Sequence, residues 1–403
     1  MYGAVMGTPD FPPLDFDSYH CDVLPGRCIS DLGRAAARDV RGIPSIAFRL
    51  PDGRAYRLAA AHDVIVVDAS DDASTVLELQ GSAWSDFVHE LATGAGLLYA
   101  GRVRFARGTA ADLERWEPAL RALYNRRPIL DPRAVELRDG RGAALDLSRT
   151  FTLADPPGDL GQFLGQAGFL HVRGVFTLGE VEALRRVVER HQAAARPGDG
   201  TSWWAQRRDG AEVLCRLIYL GLRAPEVAAL SDDPRLRGLG ALGNEPLVPA
   251  LDRCDGHSVV LKNPDVVAGL SDLPWHRDCG LGGHPVTCPV INMGIQLDAA
   301  TAASGRLLFV PGSAHGSVHR SALARPDVPV VAVDTEPGDV TVHYGDVLHA
   351  APPPLGPGPG RRALYLTFMP KRAYDAIGPH QSYNDTIRAQ QSGGPTTKAS
   401  LDS

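Results

Sequence analysis

Lysine is nearly absent: three stand against 38 arginines in 403 residues. With so much Ala, Gly and Pro, that imbalance reads as the coding bias of a GC-rich genome. Positive charge is in deficit overall. The 41 Lys and Arg against 47 Asp and Glu give a net charge of −6, which argues against a nucleic-acid or anionic-membrane surface. No apolar run approaches the roughly 18–20 residues needed to span a bilayer. Residues 1–13 lack the basic segment and apolar core of a signal peptide, so no export is expected. The six cysteines (Cys21, Cys28, Cys215, Cys254, Cys279, Cys288) contain no C-x-x-C pair. That excludes zinc-finger and thioredoxin-type readings and suits a reducing, cytoplasmic compartment. What is present is an ordinary globular mixture, 44% apolar and 22% charged, long enough for one large domain and a smaller one.

Residues 1–40, rich in Pro, Gly and Asp, read as an irregular segment. Four short apolar runs bounded by turn residues follow at Ile43–Leu50, Tyr56–Ala61, Val64–Val67 and Thr75–Gln80, the pattern of antiparallel strands. Trp84, Phe87, Val88 and Leu91 then recur at helical spacing. After a strand at Val103–Ala106, Thr109 with Asp112 opens a second helix bearing Leu113, Trp116, Leu120 and Leu123. Residues 41–128 therefore read as a small α/β domain. Residues 129–160, with their prolines and Gly158, read as a linker. A large domain spans 161–378, and 379–403 is a polar tail. Within the large domain, Thr177-x-x-Glu180 is a capping box. From Ser258 to Phe368 short β-type runs alternate with Gly/Pro turns, as in a sandwich or barrel. Trp203 and Trp204, with Arg207 and Arg208, read as a loop or lid ahead of it.

The chemistry concentrates in Trp275-His276-Arg277-Asp278. Positions i and i+2 of a strand face one side, so His276 and Asp278 can aim an imidazole and a carboxylate at one point. His349 follows 71 residues later, after another β run. Two imidazoles and a carboxylate on adjacent positions leave three coordination positions open, the facial arrangement of non-haem Fe(II) oxygenases. The same set also serves catalytic zinc, so a hydrolase or isomerase stays open, as does a non-catalytic lipid- or acyl-binding protein. Arg361, or its neighbour Arg362, suits a bidentate grip on a carboxylate at the start of the last β run. Thr287, Asn292 and Gln296 flank the run after the H-x-D, and one of them is expected to line a co-substrate pocket. His343, His315 and His319 read as hydrogen-bonded or surface histidines rather than ligands.

His276-x-Asp278, the segment from Gly305-Arg306-Leu307 through Pro311-Gly312-Ser313, then Pro337-Gly338-Asp339, His349 and Arg361 together resemble the phytanoyl-CoA dioxygenase family. Gly168-Phe169-Leu170 through Gly174-Val175 resembles that family's opening. The resemblance covers about residues 160–375. It implies an α+β chain with a double-stranded β-helix (jelly-roll) core, Fe(II), 2-oxoglutarate as co-substrate, and O2. It makes His276, Asp278 and His349 the iron ligands and assigns the distal carboxylate of 2-oxoglutarate to Arg361, with Arg362 as fallback. Lys262 resembles a family position facing the co-substrate pocket, and Thr287 is the other cofactor-binding candidate. A carboxylate at position 278 disfavours halogenation, because related halogenases carry a small residue there. Ala350 and Ala351 depart from the Ser or Asn that often follows the distal His. Residues 40–128 loosely resemble sterol-carrier-type lipid-binding domains, which implies a hydrophobic or carrier-linked small-molecule substrate. The implied activity is hydroxylation of an unactivated C–H bond with release of succinate and CO2.

Overall fold

The computed structural model describes residues 10–99, 101–243, 245–253, 255–268, 273–278, 288–319, 322–323, 325–355 and 360–377. Within them the amino-terminal region builds one five-stranded sheet. Its strands are β1 (Ile46–Arg49), β2 (Ala55–Ala61), β3 (Val64–Asp68), β4 (Thr75–Leu79) and β5 (Val103–Arg107), in the order β3-β2-β1-β4-β5. β1 and β4 run parallel and the other neighbours antiparallel. One face buries Phe48, Leu58, Ile65 and Leu77 under helices Gly81–Val88 and Ala110–Asn125. On strand residues such as Arg49, Arg57 and Glu78 the other face is charged: Arg49 pairs with Asp71 at 2.6 Å and Arg57 with Asp68 at 2.6 Å. That alternation follows from a two-residue period in which the charged face is covered only in part, over Ala47 and Val76. The helix Ala110–Asn125 starts at the expected Thr109–Asp112 capping box.

Residues 1–40 are not an irregular segment where the structure describes them. Helical turns run from Phe16 to Cys28, and a helix capped by Ser30 spans Asp31–Asp39. Phe16, Tyr19, Leu24, Ala36 and Ala37 complete the core around Trp84 and Trp116. These helices are short and glycine- and proline-punctuated, so their local pattern looks like loop. Contact with a hydrophobic face elsewhere in the chain makes them regular.

The second region contains β6 (Phe169–Val172), β7 (Ser202–Arg207), β8 (Glu212–Leu217), β9 (Leu247–Pro249), β10 (Ser258–Lys262), β11 (Val266–Ala268), β12 (Leu273–His276), β13 (Ile291–Gln296), β14 (Leu307–Phe309), β15 (Val331–Val333), β16 (Val340–Tyr344), β17 (His349–Ala351) and β18 (Arg361–Pro370). Two sheets result. The larger has the order β11-β7-β8-β10-β18-β13-β16-β6, with β9 beside β18, and the smaller is β12-β17-β14-β15. Their inner faces meet where Phe169 stacks on Phe309 at 4.5 Å between ring centroids. On its outer face the large sheet packs Ile291, Met293, Ile295, Val340 and Leu364 in one core with residues of helices Pro157–Ala167 and Leu178–Ala194. The second of these helices begins at the predicted Thr177–Glu180 capping box. Trp203 and Trp204 lie in β7 rather than a lid: Trp203 is buried, with the Arg216 guanidinium 5.1 Å over its ring. No helix among the described residues is long and apolar enough to cross a membrane.

Two buried histidines give the fold a signed pH dependence. Burial pushes His20, in the amino-terminal core, down to about 4, and does the same to His257 beside Ser231. An imidazole that resists protonation only when folded lets the unfolded chain bind protons first. Stability is therefore complete above pH 6.5 and lost as pH falls through the window from 6.5 to about 4. Each group contributes a loss of about 3 kcal/mol across that window. Melting temperature should fall steeply between pH 7 and pH 4.5, and His20→Phe should flatten the part of the slope that belongs to the amino-terminal domain. An unchanged slope in that variant would contradict the assignment.

Candidate metal centre

His276 ends β12, and the antiparallel register with β17 sets it directly opposite His349. Cross-strand neighbours on one face stand close enough for their side chains to meet, and the two imidazoles lie 4.2 Å apart between centroids. Asp278 follows two residues after the strand ends. Its Oδ1 is 3.3 Å from His276 Nε2 and its Oδ2 is 3.5 Å from His349 Nε2. One ligand atom from each of these three residues lies within 4.8 Å of the others. A chain separation of 71 residues between Asp278 and His349 thus closes to side-chain contact.

The donor set is prepared for a cation. His349 Nδ1 donates to the Val347 carbonyl at 3.0 Å, which fixes the tautomer and leaves Nε2 for a metal. Burial holds His349 well below its ordinary value, so it is a neutral imidazole. Burial works against charge on Asp278, but the imidazoles of His349, His276 and His343 around it keep its carboxyl well below the usual carboxylate range. Asp278 Oδ2 accepts from Asn292 Nδ2 at 2.8 Å and from His343 Nε2 at 3.2 Å. The Asn292 amide is itself oriented by Thr367 Oγ1, which donates to its Oδ1 at 2.6 Å. A carboxylate with one oxygen held this way keeps the other for a metal.

Asn292 and Thr367 were not legible as supports of Asp278. They are 75 residues apart and come together only because β13 and β18 pair with Asn292 opposite Thr367. His343 has the expected hydrogen-bonded role, and its partner turns out to be the carboxylate itself. Gln296 donates to Thr341 Oγ1 and to the Gly294 carbonyl. His315 and His319 point elsewhere, to the Gln166 carbonyl and to Asp39. Thr287 lies outside the described residues.

The two arginines separate cleanly. Arg361 is 2% exposed, its Nε donates to the Gly305 carbonyl at 2.9 Å, and its Nη1 is buried with no partner among the described residues. Arg362 points the other way: its Nε meets Asp298 at 2.8 Å and its Nη1 meets Glu189 at 2.9 Å. A one-residue step reverses the face, and here it separates a satisfied surface cation from a buried one. Lys262 is buried directly across from Arg361, and its ammonium donates to the Ala351 carbonyl. That contact is to the main chain, so it does not depend on the side chain at position 351. Gly360 makes the pairing possible, since a Cβ there would sit 1.6 Å from the Lys262 carbonyl oxygen.

Residues 164–363 match the family model described as phytanoyl-CoA dioxygenase (PhyH). Among solved structures, AviO1 from Streptomyces viridochromogenes Tue57 is 28% identical over 54% of this chain and 96% of its own, with a TM-score of 0.44. The carbocyclase SnoK from nogalamycin biosynthesis is 22% identical over 55% and 87%, with a TM-score of 0.43. EctD from S. alaskensis, crystallised with 2-oxoglutarate and 5-hydroxyectoine, is 19% identical over 59% and 84%, with a TM-score of 0.45. No curated protein matches the chain. Residues 164–363 are a phytanoyl-CoA dioxygenase family domain, and the chain is an oxygenase of the class that uses Fe(II), 2-oxoglutarate and O2.

Proposed function

We propose that His276, Asp278 and His349 hold Fe(II), that Arg361 grips the distal carboxylate of 2-oxoglutarate, and that the enzyme hydroxylates an unactivated C–H bond of a small hydrophobic or acyl substrate. The observation that carries this is the convergence of the three ligand-type side chains between the two sheets, which we read as the two layers of a double-stranded β-helix. Iron bound there, with 2-oxoglutarate and O2, supplies oxidation of a C–H bond with release of succinate and CO2. The chain's own part is positional. Asn292, His343 and Thr367 fix the carboxylate, and Val347 fixes the His349 ring. A buried guanidinium without an anionic partner among the described residues favours a bound carboxylate, because an isolated charge away from water is costly. Lys262 borders the same place and adds positive charge to it.

The hydrophobic or acyl character of the substrate is supported by the resemblance of the small domain to sterol-carrier-type modules. A cytoplasmic location follows from the argument that cysteines without a paired framework suit a reducing compartment. The test is succinate formation by purified protein with Fe(II), ascorbate and 2-oxoglutarate across a panel of fatty acyl thioesters, polyketides, terpenoids and free amino acids. Substrate-stimulated succinate from the acyl or hydrophobic members is the expected result. Turnover restricted to free amino acids would overturn the substrate class. Absence of turnover with every member, together with no visible absorption when 2-oxoglutarate is added to the anaerobic Fe(II) protein, would overturn the site assignment.

A further inference from the structure

We propose that the amino-terminal domain is a working part of the metal site, acting through Arg127 as a positioning residue for His349. The inference rests on His349 being a metal ligand, as proposed above.

Arg127 is fully buried and joins the two regions. Its Nε and Nη2 meet the Glu90 carboxylate at 3.1 and 3.0 Å, and Nη2 also meets Asp346 Oδ2 at 2.5 Å. Arg121 reaches the same Glu90 at 3.0 Å and stands 4.0 Å from Asp346. Asp346 is completely buried in the turn between β16 and β17, three residues before His349. In that turn, Val347 supplies the carbonyl that orients the His349 ring, and the Leu348 amide donates to Ser313 Oγ at 2.8 Å. Arg277, between the other two ligands, donates to the carbonyls of Asp346, Ser313 (2.9 Å) and Gly316 (3.0 Å). Both ligand-bearing segments therefore meet at Asp346, and the guanidinium on its carboxylate comes from the other domain.

The backbone on the amino-terminal side is bent to make this contact. Glu90 follows helix Gly81–Val88 with φ 58°, and Arg126 ends helix Ala110–Asn125 with φ 56°. Left-handed conformations suit glycine or asparagine, and long side chains there mark positions held by their surroundings. Here they set a carboxylate and a guanidinium face to face. Immediately after Arg127 the chain bonds to the segment that Arg277 also holds: Ser317 donates to the Pro128 carbonyl at 2.7 Å and Leu130 to the Ser317 carbonyl at 2.8 Å.

The experiment uses the full chain and measures Fe(II) affinity and the anaerobic absorption band with 2-oxoglutarate, alongside melting temperature. Arg127→Gln should weaken Fe(II) binding about 10- to 100-fold, as removal of an outer support of a metal ligand does, and should shift the band. Arg127→Lys should recover part of the loss. Asp39→Asn weakens a separate contact between the regions, the 2.8 Å bond from His319, and should lower the melting temperature with Fe(II) affinity within twofold of wild type. If Arg127→Gln does not fold, Glu90→Gln, which keeps the Arg127–Asp346 pair, is read the same way with a smaller shift. An Arg127 or Glu90 variant that melts earlier yet binds Fe(II) like wild type with an unchanged band overturns the proposal, leaving only domain cement. An Asp39→Asn protein that loses iron as readily also overturns it. Wild type that binds no Fe(II) refutes the ligand assignment instead.

Discussion

His349→Ala will leave a folded protein that retains no Fe(II) after anaerobic gel filtration and turns over 2-oxoglutarate at least ~1000-fold more slowly than wild type. The large effect follows from how little else is available. Three side chains supply the cluster, and removing one imidazole leaves a bidentate site with a strongly hydrated ion on the other side. Among the described residues, His343 is the neighbouring imidazole best placed to substitute. Its Nε2 is committed to Asp278 Oδ2 at 3.2 Å, on the carboxylate oxygen that Asn292 also holds. Folding should survive, because His349 contributes one ring to a strand whose backbone pairs on both sides, with β12 and with β14. Iron content and circular dichroism together decide the matter. A folded variant that keeps stoichiometric iron would mean that His349 is not a ligand.

Arg361→Gln should raise the KM for 2-oxoglutarate between ~30-fold and ~4000-fold, the span that corresponds to about 2–5 kcal/mol for losing one member of a buried, hydrogen-bonded charge pair. Arg362→Gln should change it by less than ~3-fold. The contrast between adjacent arginines is the informative part. Both begin the same strand, and both are equally suited by chemistry to hold a carboxylate. Arg361 is buried with an unpartnered Nη1, whereas the Arg362 guanidinium is already held by Asp298 and Glu189. Arg362→Gln should instead lower thermal stability modestly, since it releases a half-buried ion-pair network. Equal effects of the two substitutions on 2-oxoglutarate would place the co-substrate elsewhere.

The way the three proposed ligands are supported explains how side chains so distant in sequence form one cluster. Two of the three side chains are oriented by groups outside their own strand: Val347 for His349, and Asn292 and His343 for Asp278. Arg277 and Asp346 then tie the two ligand-bearing segments together behind the site. Burial pushes Arg277 down to about 10, which still leaves it a cation at neutral pH. Gly294 marks the same inner face: a Cβ there would approach both Thr341 Oγ1 and the Tyr365 ring at 2.8 Å.

Most strands and the two capped helices, together with the three donor side chains proposed as ligands, could be read from the amino-acid order. Capping boxes at Thr109 and Thr177, turn-bounded apolar runs and an H-x-D motif are encoded within a few residues of one another, so they can be read without knowing what they touch. The helices between Phe16 and Asp39 escaped because their order comes from burial against Trp84 rather than from their own pattern. Which arginine is buried, that Asn292 and Thr367 brace Asp278, and that a guanidinium from the amino-terminal region reaches the turn before His349 were set by the fold. Each of these depends on strand register or on contacts between residues 75 or more positions apart. A single chain's letters carry no record of register, because a shift of one residue exchanges the two faces of a strand while leaving the composition untouched.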